Sequence, residues 1–495
     1  MRKTPLTFAG PRPALIALAA AALLSGCSLV PLYERPAAPV ATAWPTLGPA
    51  QDAGAGTAPA AALPWQAFVG PGPLQEVLGL ALQGNRDLRL AALAIEQARA
   101  QYQIRAADQL PTVNAAATGN RQPKTDGSGA ITSAYTVGLA LAAWEIDFFG
   151  RIASLKEAAL AQYLATEEAR KAVQTSLVAA VASTWLSLQT SEELLALAQR
   201  TLATREDSLR LARLRLDQGV ASALELSQAE SLAAAARASV AQQQRQRALD
   251  ANALTLLVGQ PLPAALLAAA AGGSALALPE LPAGLPSDLL TARPDIRQAE
   301  QQLIAANANI GAARAAFFPR IALTASAGTA SSSLSGLFES GSWGWTLAPQ
   351  AVLPIFDAGR NQAGLDSAQA GRAIAVAQYE KAIQTAFREV ADALAGRATL
   401  AAQVQALQAQ TGAEAQRVRL AELRLRNGVA SSLEVLDAQR ALFAVQQALA
   451  QTQLAQQQNR VLLFKALGGG WTPADAASAS SSPAIPAAPA APAAS

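Results

Sequence analysis

Histidine is absent from this 495-residue chain, and cysteine and methionine occur once each. Without histidine the commonest general base and metal ligand is missing, and a lone thiol can build neither a disulfide framework nor a cysteine metal site. There is no Gly-rich phosphate loop and no His-Glu metal motif, and no pair of carboxylates outside the helix tips described below suggests a hydrolase. The chain therefore reads as a non-enzyme, with no catalytic, cofactor-binding or metal-binding residue assigned. Aromatics supply only 5% of the sequence. Its apolar content is mostly Ala and Leu, which suits long, closely packed helices better than one large core.

Proline is missing from two further stretches, Arg151 to about Asp217 and Arg360 to about Arg426, where glycines are also few. Each reads as one helix of about 100 Å at about 1.5 Å per residue. Ile383, Phe387, Val390 and Leu394 follow the 4-3-4 spacing of a coiled-coil seam.

The formal excess of positive charge sits at the N-terminus. Arg2, Lys3 and Arg12 flank or precede an apolar run from Ala14 to Leu24, too short to span a bilayer. Leu24-Ser25-Gly26-Cys27 follows, and the stretch resembles a bacterial lipoprotein signal in which residues 1–26 are removed and Cys27 is acylated, as with palmitate. Ser28 stands where an Asp would more often retain such a protein at the inner membrane. Cleavage removes three of 38 Lys and Arg and leaves 35 against 35 Asp and Glu, so the basic pI says nothing about nucleic acid.

One stretch occurs twice. LARLRLDQGVASALELSQA from Leu211 returns as LAELRLRNGVASSLEVLDA from Leu420, with eleven of the first fifteen positions identical and no gap. In each copy a helical pattern stops at Gly-Val-Ala-Ser and restarts at Leu-Glu. Gly219 and Gly428 suit the left-handed end of a helix, and Ser222 and Ser431 the N-cap of the next. The copies read as tips of two helical hairpins in a duplicated chain.

The halves follow one plan. Residues 27–73 form an extended lead, rich in Ala, Pro and Gly from Val40 to Pro64. The first repeat, 74–262, opens with helix broken at Gly84-Asn85 and stopped before Pro111. A connector, 263–289, leads to the second repeat, 290–469, where Pro319 matches Pro111. A Pro, Ala and Ser tail, 470–495, has too little apolar bulk to fold. After each proline the period changes to near alternation, giving a β-hairpin at 112–148 and another at 320–356. Tips at 217–223 and 426–432 follow. Large residues alternate with small ones along Tyr135, Val137, Leu139 and Leu141, as on a lipid-facing strand. Trp144, Phe148, Phe149, Trp343, Trp345 and Phe356 lie near strand ends, where an aromatic girdle belongs. Four strands cannot close a membrane barrel, so an oligomer is expected.

Leu433 and Asp437 are four apart and Glu434 and Asp437 three apart, so all three share one face at a helix start. Copies around an axis would place a ring of carboxylates there and favour cations. The same acids also suit the positive end of a helix dipole, with Asp437 pairing Arg440.

The plan of helix, two strands, long helix, tip and return helix, with Arg-Pro-Asp-Ile-Arg at 293–297 and the paired Gly-Val tips, is similar to the outer-membrane efflux channels of the TolC and OprM type. The lipoprotein signal points to the lipidated, NodT-like branch serving RND tripartite pumps. The resemblance implies a mixed α/β membrane protein. It would be a homotrimer with a 12-stranded outer-membrane barrel, four strands per chain, continued by a periplasmic 12-helix α-barrel. It implies an exit duct for small molecules or drugs, with an inner-membrane pump and a periplasmic adaptor as partners. The adaptor would dock at the tips around Gly219, Val220, Gly428 and Val429. Leu433, Glu434 and Asp437 fall on the family's periplasmic aperture. Leu425 and Ala430 depart from the polar lock of the TolC pattern. A protein-secretion channel of type I, or a lipid-anchored tether without a pore, are the alternatives. If Cys27 is the acylation site, Cys27→Ser abolishes incorporation of labelled fatty acid; unchanged labelling would remove the anchor.

Overall fold

Pro111 and Pro319 each end a helical run and hand the chain to a strand, and this hand-over organises both halves. The computed structural model describes residues 28–45, 63–125, 129–272, 278–282, 284 and 286–471. Cys27 and residues 1–26 lie outside the described residues, as do 126–128 of the first strand loop. Of the tail expected over 470–495, only Gly470 and Trp471 are described.

The first half runs α1 (Trp65–Val69), α2 (Pro73–Gly84), α3 (Arg86–Ala107), β1 (Val113–Pro123), β2 (Ile131–Glu145), α4 (Arg151–Asp217) and α5 (Ala223–Val258). A short α6 (Ala264–Gly272) lies in the connector. The second half runs α7 (Leu289–Ala292), α8 (Pro294–Ala315), β3 (Arg320–Ser331), β4 (Trp343–Val352), α9 (Arg360–Arg426) and α10 (Ser432–Ala466). Both α4 and α9 have 67 residues. Among the described residues no helix is long and apolar enough to cross a membrane.

One correction concerns the lead. Residues 28–45 are extended, but 65–69 are helical, with Trp65, Phe68 and Val69 buried and Phe68 stacked on Phe464 at 4.0 Å. These large apolar side chains give α1 burial that the Ala and Pro before it cannot supply.

The chain divides into two compact units. The first takes residues up to 37, 94–167 and 298–380. Its sheet has the order β1-β2-β3-β4, antiparallel throughout, so the two hairpins join through β2 and β3. The register sorts the side chains. Val113, Val137, Leu139, Leu141, Trp343, Trp345 and Leu347 share one face. The other carries Asn114, Thr118, Thr136, Ser326, Thr346 and Gln350, with hydroxyl contacts of 2.6 Å in the pairs Thr118–Thr136 and Ser326–Thr346. A β-bulge between Leu141 and Trp144 inserts one residue. Ala143 takes φ 45° there, and the shift brings even-numbered Trp144 onto the apolar face opposite Leu323.

Across the β2–β3 seam Gly138 faces Gly328, and a Cβ on Gly328 would meet the Val137 carbonyl oxygen at 2.3 Å. The strands approach as closely as they do because neither residue has a side chain.

In the same unit residues 28–35 form a strap along α8. Arg314 donates to the Leu29 carbonyl at 3.2 Å, Val30 packs over Gly311, and Asn307 donates to the Pro31 carbonyl at 2.7 Å. Glu300 then accepts the Tyr33 hydroxyl at 3.0 Å and the Arg35 fork at 2.7 and 2.9 Å. Burial first, and the Glu300 carboxylate next, push the Tyr33 phenol up to about 12, so it stays a donor.

The second unit takes residues 38–93, 168–297 and 381 onward. Trp185, Leu74, Leu78 and Leu254 are among its largest buried side chains. Ile383 and Val390 of the expected seam are buried, and Phe387 stacks under Trp44 at 4.9 Å. Arg293, 4% exposed, forks onto Asp295, reaches Glu389 at 2.8 Å and donates to the Ala466 carbonyl at 3.0 Å.

The glycine seam makes a controlled prediction. Gly328→Val forces a branched side chain into backbone and should destabilise by about 3 kcal/mol, through strand displacement. Gly344→Val, in the same row with nothing within 4 Å, should leave the unfolding midpoint near wild type. Equal midpoints for both variants in thermal unfolding would contradict the close approach.

Candidate functional site: the hairpin tips

Each tip is built by the same backbone chemistry. Gly219 takes φ 74° and Gly428 φ 72°, the left-handed values that end a helix. Gly219 N–H donates to Leu216 at 2.8 Å and Val220 N–H to Arg215 at 2.9 Å; Gly428 and Val429 repeat this with Leu425 and Arg424, both at 3.0 Å. This is a Schellman closure made twice. Leu425, where the resemblance left the lock in doubt, thus has its carbonyl in the closure.

The restarts differ. Ser222 caps α5 in a reciprocal capping box with Glu225. Ser431 occupies the N-cap of α10, but its side chain makes no capping bond. Instead Ser432 donates to Glu225 Oε1 at 2.8 Å and ties the two tips together.

Both tips present apolar side chains to solvent at matching positions. Val220 and Val429 are each 64% exposed, and Leu224 and Leu433 are 67% and 54% exposed. Leu211 and Leu214 of α4, with their counterparts Leu420 and Leu423 of α9, are exposed too. The same exposed apolar series therefore recurs in both halves.

The two acids expected at an aperture, Glu434 and Asp437, lie together at the start of α10, and each has a cation partner. Glu434 meets Arg424 at 3.2 Å. Asp437 meets Arg417 at 2.6 Å and Arg440 at 2.7 Å, while Arg417 also holds Glu414 at 3.2 Å. The Arg417 hydrogen bond holds the Asp437 carboxyl below its ordinary value of 3.8 against the opposing effect of desolvation, with the charges of Arg440 and Arg417 adding to the lowering. The Arg440 pair was legible as an i,i+3 spacing. Arg417 and Arg424 were missed, although an antiparallel hairpin closed at Gly428 brings residues at similar distances on either side face to face.

The aromatics expected to form a girdle fall at two levels of the sheet. Trp343 opens β4 at the hairpin end, with Trp345 two residues in; they are 67% and 66% exposed. Trp144, Phe148, Phe149 and Phe356 gather where the strands pass to helix, and Phe149 stacks on Phe318 at 4.8 Å. At that end Glu145 pairs with Arg151 at 2.7 Å and with Arg320 at 2.5 Å, joining β2, α4 and β3. Among the described residues, no group of three or more His, Cys, Asp or Glu could hold a metal ion.

Comparison with known proteins places this geometry. The model of the outer membrane efflux protein family matches residues 77–260 and 285–469, one stretch in each half. The toluene efflux pump outer membrane protein TtgC of Pseudomonas putida is 48% identical over 464 residues, 92% of this chain and 96% of that one. Outer membrane protein OprJ of Pseudomonas aeruginosa is 46% identical, covering 92% and 95%. Among solved structures, the open state of the Neisseria gonorrhoeae MtrE outer membrane channel superposes with a TM-score of 0.79 at 39% identity, covering 90% of this chain and 98% of that one.

The paired acids have a consequence for pH. A carboxylate with a lowered pKa stabilises above its ordinary value and loses that contribution as pH falls through the lowered one. Amide-exchange protection over 432–437 should therefore drop in Arg417→Ala at pH 7, and wild type should approach the variant only in acid below pH 3.8. Equal protection at pH 7 would show that the pair does not hold the tip.

Proposed function

The chain belongs to the outer membrane efflux protein family, and on that premise we propose how it works: as a passive, trimeric exit duct, docked and gated at its hairpin tips. Its place is the outer membrane and its task is efflux, as for the family's pumps. The observation that carries this reading is the sheet. Strands of 10 to 15 residues, apolar on one face and hydroxyl-bearing on the other, match what a barrel needs between lipid and an aqueous lumen. A tether needs no such sheet.

Three copies supply twelve strands and pair each β4 with the next β1, giving partners to the edge strands. The 67-residue helices supply the length of a periplasmic tunnel. We read the chain as doing no chemistry, with energy drawn from an inner-membrane pump of the RND type.

Acylation of Cys27 is supported by the strap. Leu29 binds Arg314, six residues before β3 begins, so the chain at Ser28 is held at the sheet-ward end of α8. The lipoprotein signal favours a drug-type pump over a protein-secretion channel. TtgC is named for toluene, and small apolar organic compounds are the substrate class we assign. The repeated exposed Val and Leu around Gly219 and Gly428 form the surface for a periplasmic adaptor. The two aromatic levels serve as the girdle.

At the aperture Leu433 supplies the apolar constriction. Glu434 and Asp437 add charge, tempered by Arg424, Arg417 and Arg440. Purified protein in a planar bilayer tests this. Wild type should give a small conductance that rises severalfold in Leu433→Ala combined with Asp437→Ala. Cation preference should fall as well, since Arg417 and Arg440 lose their acid. Absence of conductance in both would overturn the duct, and an unchanged value would move the gate elsewhere.

A further inference from the structure

Above the tips, α4, α9 and α10 line a cavity of about 210 Å³, open to solvent on one side, that the function above does not use. Arg205 of α4 projects into it and is only 4% exposed. Among the described residues its one side-chain hydrogen bond runs from NH1 to the Gln439 amide oxygen at 2.9 Å. Among the described residues no carboxylate lies within 4.0 Å of this guanidinium. Glu422 lines the same cavity but is occupied elsewhere, by the Gln439 amide nitrogen at 3.3 Å and by Arg426 at 3.8 Å.

A guanidinium has five N–H donors, and one bond leaves most of them facing the cavity. Water could meet those donors. It carries no net charge, and a cation this far from solvent with no counter-charge in direct contact is disfavoured. Burial, and then repulsion from Arg440, both weaken the proton affinity of Arg205, as expected where positive charge is concentrated. The remaining walls narrow the choice of counter-ion. Val418, Leu442 and Phe443 are apolar, and the hydroxyls of Thr201 and Thr204 are spent on the Leu197 and Arg200 carbonyls. Nearby Glu422 would repel a multiply charged oxyanion. A small monovalent ion that sheds its water easily fits these walls best.

We propose that this cavity is a halide site in which Arg205 holds a chloride-class anion among α4, α9 and α10. Gln439 is a positioning residue: its amide oxygen orients the guanidinium and its nitrogen keeps Glu422 turned away. The position in the second half that corresponds to Arg205 is Glu414, 209 residues later, so the site belongs to one half only.

The test uses the full-length purified protein. Crystals soaked in bromide should show anomalous density within hydrogen-bond distance of the Arg205 guanidinium. The unfolding midpoint should rise by several degrees between gluconate and bromide at equal ionic strength. Gln439→Glu places a carboxylate where the anion's charge is needed, so its midpoint should already be raised in gluconate and lose its response to bromide. Arg205→Met should lose the response as well. Water alone at Arg205 in bromide-soaked wild type would overturn the proposal. So would a bromide response that Gln439→Glu retains in full, since the response would then arise elsewhere; neither result depends on Arg205→Met folding.

Discussion

A sheet of four strands leaves the outer backbone groups of β1 and β4 without partners in the chain's own sheet order. In hydrocarbon each unpaired amide or carbonyl costs several kcal/mol, and in water an exposed edge invites other strands. The apolar face, with Trp343, Trp345 and Leu347 open, adds a second demand for cover. A closed ring of copies in lipid meets both demands at once. The close Gly138–Gly328 approach lets β2 and β3 pair tightly, and the bulge before Trp144 brings that ring to the face that carries Leu139, Leu141 and Trp345.

Much of this plan was legible because its signals are local. Both 67-residue helices follow from the lack of proline and end at the glycine that can turn left-handed. The strands follow from alternation after Pro111 and Pro319. What could not be read depends on partners far along the chain. The helix at Trp65–Val69 exists because Phe464 is waiting for Phe68, nearly 400 residues away. The strap of residues 28–35 carries no periodicity at all; it is set by Arg314, Gly311, Asn307 and Glu300 on α8. The bulge was hidden for another reason. A one-residue insertion leaves the alternation intact on either side, and only the strand register reveals the change of phase.

Duplication clarifies which contacts the fold requires and which it merely permits. Asn85 donates to the Leu257 carbonyl at the end of α5, and Arg293, at the matching place, donates to the Ala466 carbonyl at the end of α10. The backbone acceptor has been kept while the donor changed from amide to guanidinium. Across the hairpins the same positions meet again with exchanged chemistry. Arg213 reaches Glu230 at 3.1 Å in the first, and Gln439 reaches Glu422 at 3.3 Å in the second. The geometry of a helical hairpin therefore constrains pairing positions more tightly than it constrains charge.

That freedom shows in where each hairpin is fastened. In the first hairpin the cross-helix ion pairs run along its length, at Arg247–Glu192, Arg237–Glu206 and Arg213–Glu230. In the second the direct pairs crowd toward the tip, at Arg417–Asp437 and Arg424–Glu434. A hairpin fastened at intervals resists splaying throughout, whereas one fastened near its end can separate once those few pairs are exchanged for others. The pairs are solvent-exposed, where each such contact is weak and easily replaced. Acids at the start of α10 thus hold the second hairpin to itself through Arg417 and Arg424, a role that spacing along one helix could not reveal.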